Sequence, residues 1–177
     1  MKNLLALLFC VSILGFMACE KENTNSSELE LHHDGPNQSA PFFEPGMHIA
    51  AARFNANDVL PYEGKNLEAV EFYFLALPDK AEVQIYGVGT GTEPGALLYS
   101  ADVTSAAQAN AWTRHELTTP LQLDGDDIWI GIMVENASRA TIMGCDPGQA
   151  DPNGDWTFST DNNTWQTFRD RTNGSVD

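Results

Sequence analysis

The chain has 177 residues, with 9 Lys and Arg against 25 Asp and Glu and a formal net charge of −16. That balance excludes nucleic acid as an expected partner, because phosphate binding needs a positive stripe that so few scattered cations cannot build. The length is that of one domain able to bury a core, and an acidic surface suits neutral glycans, cations or protein partners.

The N-terminus opens Met1-Lys2-Asn3 and then runs apolar from Leu4 to Ala18, broken only by Ser12. A short basic head before such a run has the form of a signal peptide, and the run is shorter than the roughly 20 residues of a spanning helix. Small Ala18 directly before Cys19, in Gly15-Phe16-Met17-Ala18-Cys19, resembles the lipobox of bacterial lipoproteins. The resemblance implies cleavage between Ala18 and Cys19, a diacylglyceryl thioether on Cys19, and a membrane anchor to which each buried CH₂ adds about 0.8 kcal/mol. An ordinary secretory signal next to a cysteine is the alternative. Glu20-Lys21-Glu22 follows. A Lys/Glu cluster there resembles the export signals of Bacteroidetes surface lipoproteins, which implies an outer-membrane protein exposed at the cell surface; a solvated tether is the plainer reading.

Loss of residues 1–18 removes Lys2 and no acid, which makes the mature charge −17. Cys10 leaves with the signal and Cys19 carries lipid, so Cys145 is alone and the fold is expected to rely on hydrophobic burial without a disulfide. No histidine or base adjoins Cys145 in sequence, and it reads as a small apolar residue and not a nucleophile.

Residues 19–45 read as a flexible polar tether, and 46–177 as the folded domain. His48–Phe54 is a strand, and Asn57–Tyr62 a short helical turn stopped by Pro61. Leu67–Leu75 alternates, with Val70, Phe72 and Phe74 on one face, and Val83–Tyr86 does the same. Four glycines and a proline between Gly87 and Gly95 make a long loop. Strands follow at Ala96–Ala101 and Trp112–Leu117, then after Pro120 at Leu121–Leu123. Ile128–Val134 is apolar on both faces, the mark of a central strand. Ala140–Gly144, Trp156–Phe158 and Trp165–Phe168 complete the set. No segment past the signal sustains a helical period. Eight or nine short strands predict an all-β, antiparallel sandwich of jelly-roll or immunoglobulin-like kind.

The run of Ala51-Ala52-Arg53-Phe54, Tyr62-Glu63-Gly64-Lys65, Ala69-Val70-Glu71-Phe72-Tyr73, Val83-Gln84-Ile85-Tyr86-Gly87, Glu93-Pro94-Gly95-Ala96-Leu97-Leu98-Tyr99, Trp112 and Ile128-Trp129-Ile130-Gly131 resembles an adhesin-like β-sandwich module of Bacteroidetes surface and secreted proteins. The likeness spans about residues 50–168 and implies a cell-surface module without naming a ligand. Such modules continue beyond the loop corresponding to Arg171–Gly174 into a closing strand, whereas this sequence stops at Asp177; an open sheet edge is the expectation.

Chemistry is sparse. His48 and His115 have no serine or cysteine in a nucleophile setting, and no Gly-x-Ser-x-Gly elbow is present. No P-loop, dinucleotide fingerprint or HExxH occurs, and the 87–91 glycines lack a following helix. His32-His33 supplies two ligands only, too few for a metal site. Asp151, Asn153 and Asp155 have the alternate spacing by which a loop wraps calcium, although residue 162 is Asn where an EF-hand needs Glu. Trp129, Trp156 and Trp165 are the candidate ligand-binding rings. Ile128, Ile130 and Ile132 should face inward and leave Trp129 outward beside Gly131, while Trp165 sits among polar neighbours. The expected function is a non-catalytic, membrane-anchored binding or adhesion module that binds glycan. The alternatives are a protein-binding adhesin or accessory subunit and a fragment of a secreted hydrolase, since a fold of this class hosts many functions.

Overall fold

The structure is a computed structural model that describes residues 29–33, 35, 37, 40–145, 151–160 and 163–171. The chain divides into Met1–Glu30 and Leu31–Asp177, and the secondary structure described below belongs to the second unit. Cys19, the signal segment and the Lys/Glu cluster lie outside the described residues, among which no helix is long and apolar enough to cross a membrane.

The fold is all-β and antiparallel, as the alternation predicts. The strands are β1 (Phe42–Phe43), β2 (Gly46–Phe54), β3 (Asn66–Phe74), β4 (Lys80–Tyr86), β5 (Leu97–Asp102), β6 (Ala111–Gln122), β7 (Ile128–Asn136), β8 (Ala140–Thr141), β9 (Trp156–Ser159) and β10 (Thr164–Thr167). One layer is a six-stranded sheet in the order β10-β9-β2-β7-β4-β5. In the other, β3 pairs with β6 and β1 with β8. The segment after β8 joins these two pairs through a Phe74–Met143 bridge and a Leu75 N–H donated to the Ile142 carbonyl at 2.7 Å.

The core follows from side-chain parity, because successive residues of a strand face opposite sides. Phe54 of β2, Ala81, Val83 and Ile85 of β4 and Ile128 and Val134 of β7 meet Val70, Phe72 and Phe74 of β3 and Leu117 of β6. As expected, β7 is central, flanked by β2 and β4 in unbroken register. The predicted helical turn is α1 (Ala56–Val59) followed by a 3-10 turn at Leu60–Tyr62. Its start is fixed by a capping box: the Asn55 side chain accepts from the Asn57 N–H, and the Asp58 carboxylate accepts from the Asn55 N–H. Such a box satisfies donors that the first turn would otherwise strand.

Three differences from the sequence reading have physical causes. β6 does not stop at Pro120 but runs to Gln122, with the register slipping opposite Leu67 and Ala69. Proline is tolerated because β6 bonds to β3 alone, and an edge strand with a bulge needs no donor there. The segment read as tether contains residues that are packed on the domain. Leu31 and Phe43 enter the core, and the His33 ring stacks on Phe54 with centroids 4.6 Å apart. Residues 40–45 contribute β1, a strand whose two residues are too few to show alternation. The last strand ends at Thr167 and not at Phe168, which opens a further short helix, α2 (Phe168–Arg171).

Candidate functional site

Two outward-facing aromatic clusters, one on each sheet, are where this sandwich departs from a plain polar surface. On the six-stranded sheet, the parity that sends Ile128 and Val134 inward sends Trp129, Gly131 and Met133 outward. Trp129 points outward as expected, yet it is 0% exposed and cannot present its ring to solvent. Its cover is aromatic: Trp156 lies 5.1 Å away, Trp165 meets it nearly edge-on at 6.1 Å, and the Arg53 guanidinium lies 5.8 Å from its ring centroid. Trp156, at 8% exposure, belongs to the same buried cluster, against which Trp165 and Tyr86 pack half-buried.

The Tyr86 and Trp165 rings are 6.2 Å apart, although three strands separate β4 from β10. Four interstrand steps on a flat sheet would place the two strands about 19 Å apart. The sheet therefore curls toward this face, as large twisted sheets do, and brings β9 and β10 over Trp129. The cluster is a second small core.

Arg53 locks one border of it. Its Nε and Nη2 donate to Asp127 Oδ2 at 2.9 and 2.6 Å, and Nη1 donates to the Gly91 carbonyl at 3.1 Å. Asp127 Oδ1 accepts the Ala56 N–H of α1 at 2.8 Å. One carboxylate thus joins β7, β2 and α1, and the arginine ties in the 87–95 loop. That loop needs its glycines, for a Cβ at Gly89 or Gly95 would overlap the Glu93 or Val88 carbonyl oxygen. Asp127→Ala leaves a half-buried guanidinium without its partner, and the expected cost is about 1–3 kcal/mol, read from the denaturant midpoint.

Along β4 a polar ladder borders the cluster. Tyr86 donates to Gln84 Oε1, and Gln84 Nε2 donates to Glu82 Oε1 at 3.0 Å. Burial, followed by the nearby Glu82 carboxylate, pushes the Tyr86 phenol from the usual 10.0 up to about 12. The folded state then holds this proton more tightly than the unfolded chain does. Its contribution to stability is complete below the unfolded value near 10 and is lost as pH rises through about 12. Melts across the alkaline range should fall more steeply for the natural chain than for Tyr86→Phe.

Residues 151–154 form a turn, with Asp151 Oδ1 accepting the Asn153 N–H at 2.8 Å. Both carboxylates of the 151–155 stretch have other partners. Asp155 grips Arg169, Oδ2 accepting from Nε at 2.8 Å and Oδ1 from Nη2 at 3.1 Å. Asp151 lies 3.5 Å from His33 Nδ1, and the Asn153 carbonyl accepts the Arg53 N–H at 2.7 Å. No group of three His, Cys, Asp or Glu side chains able to hold a metal stands together among the described residues.

The second cluster was not singled out by sequence. On β6 the residues between Ala111 and Leu117 alternate, so that Thr113 and Leu117 face the core while Trp112, Arg114 and Glu116 face out. Trp112 is 45% exposed. Opposite it on β3 stands Tyr73, in register and 5.7 Å away, ring edge to ring face. The next row holds Glu71 opposite Arg114, and the third holds Ala69 opposite Glu116. Arg114 donates from Nη1 to Glu71 Oε1 at 3.2 Å and from Nε to Glu116 Oε1 at 2.7 Å. Past the bulge, Asn66 faces Gln122, both exposed. The inner side is braced by Tyr99, whose hydroxyl lies 2.8 Å from His115 Nε2 and accepts the Thr118 N–H at 3.4 Å.

Trp112 lies in a polar alternating strand like those around the other rings, and its signal was an outward parity opposite a second aromatic. Comparison with protein-family models, curated proteins and solved structures finds no match to this chain.

Proposed function

We propose that the chain is a non-catalytic binding module, tethered to the outer membrane by lipid on Cys19 and exposed at the cell surface, that binds glycan on the outward face of the β3–β6 sheet. The observation that carries this reading is the exposed Trp112 ring beside Tyr73, with the Glu71–Arg114 pair in the next row and Glu116 in the one after. A flat aromatic face stacks on the apolar face of a sugar, and the charged row supplies donors and acceptors for hydroxyls, the mixture expected of sites with one wet and one apolar side. Both strands carrying these groups are backed by the main core, so the site is held rigid without ligand, which lowers the ordering cost of binding.

The anchor rests on residues 1–22 and is tested by mass: lipid on Cys19 and loss of residues 1–18, both abolished in Cys19→Ser. The binding reading is tested with the full chain against immobilised polysaccharides. Saturable retention on at least one polymer supports it. Turnover of a polymer in place of retention would put a hydrolase in its stead.

A protein partner is the second reading, and one observation favours it. Val88, Leu97 and Leu98 are exposed together at the β5 end of the six-stranded sheet, where an edge strand offers unpaired backbone groups. Capture of a protein with no response to any sugar would favour that partner class.

A further inference from the structure

We infer that the glycan taken by the β3–β6 face is neutral, and that Glu71 and Glu116 are the residues that exclude acidic polymers. The inference rests on the glycan reading above and concerns the same face.

Arg114 places a cation on that face, opposite Glu71. An exposed guanidinium next to a stacking ring would by itself recruit a carboxylate or sulfate through bidentate bonds. Here two of its edges are already held, Nη1 by Glu71 and Nε by Glu116. Two carboxylates around one guanidinium leave the row net negative. Each carboxylate gives Oε1 to the arginine and keeps Oε2 as an acceptor for a sugar hydroxyl, which an anion cannot use. Opposite Glu116 the strand pair offers Ala69, and past the bulge Asn66 and Gln122, an aliphatic side chain and two neutral amides that both donate and accept.

Distance makes the charge effective. Alternate residues on one face of a strand are about 6.8 Å apart, within the roughly 8 Å over which physiological salt screens a charge. A sugar stacked on Trp112 therefore has the Glu71–Arg114 row within range, the neighbouring unit of an extended polymer meets Glu116 one row further on, and the net charge of −16 adds to the repulsion at longer range. β6, with 12 residues, extends for roughly 40 Å. An extended polymer can lie along it past both carboxylates, so each of its acidic units would meet the same barrier.

The test uses the full chain, the double variant Glu71→Gln/Glu116→Gln, and four probes: galactomannan and xyloglucan as neutral polymers, polygalacturonate and dextran sulfate as acidic ones. Affinity electrophoresis is run at low and at physiological ionic strength, with a thermal melt of each protein to show that it folds. The natural chain should bind a neutral probe and be at least about tenfold weaker on both acidic ones, most of all at low salt. The double variant, with both carboxylates beside Arg114 neutralised, should gain retention on polygalacturonate and keep that on the neutral polymer. Binding of an acidic probe by the natural chain as tightly as a neutral one overturns the inference and leaves the glycan reading standing. Binding of none of the four, with every protein folded, overturns the glycan reading and the inference with it.

Discussion

Trp129→Ala is expected to lower the free energy of unfolding by about 3–5 kcal/mol, a large part of what a domain of this size possesses. The cost comes from a ring that points away from the main core and is nonetheless fully buried. Removing it opens a cavity under Trp156 and Trp165 and takes the aromatic face from beneath Arg53. The cavity cannot collapse easily, because Arg53 is fixed by Asp127 and the sheet curl is set by backbone pairing. Trp129→Phe should cost less, since it keeps most of the packing and removes an indole N–H that has no hydrogen-bond partner among the described residues. Urea unfolding of the three proteins gives the ordering. A loss below about 1 kcal/mol for the alanine variant would mean that the face is not a packed cluster.

Trp112→Ala is expected to leave stability within about 0.5–1 kcal/mol of the natural chain and to weaken glycan binding at least tenfold, about 1.4 kcal/mol. The two tryptophans separate the functions of the two faces. Both point outward from their sheets, and both sit in strands with a buried inner face. Trp129 is covered by rings from β9 and β10, while Trp112 has Tyr73 at its edge and solvent over much of its surface. Truncating an exposed ring removes little packing, so its effect should fall on the ligand.

The contrast also explains which parts of the molecule could be read from sequence. Strand identity was legible wherever one face is buried, as in β3, β4 and β7, because alternation is the direct imprint of that burial. Trp129's outward direction was legible from Ile128, Ile130 and Ile132 by the same logic. Its burial was not, for the cover comes from Trp156, Trp165 and Arg53, brought together by sheet order and curl that no local pattern encodes. The exposure of Trp112 was hidden for the same reason. Asp155 illustrates the point with charge: its spacing from Asp151 and Asn153 was visible, but Arg169 arrives from the far side of the β9–β10 turn and holds the carboxylate. Pro120 misled in the opposite direction, since its meaning depends on whether the strand has one neighbour or two. Leu31 and His33 lie in a polar stretch that composition marks as tether, and their docking depends on Phe54 and the main core.

Glycan is expected on the β3–β6 face and not on the aromatic face of the larger sheet. The most direct measurement is affinity electrophoresis of the full chain, Trp112→Ala and Trp165→Ala in gels containing the neutral polysaccharide that the natural chain binds. Retardation of the natural chain and of Trp165→Ala, with loss of retardation in a folded Trp112→Ala, is the predicted result. Retardation that survives Trp112→Ala and disappears in Trp165→Ala would contradict the claim and move the site to the six-stranded sheet.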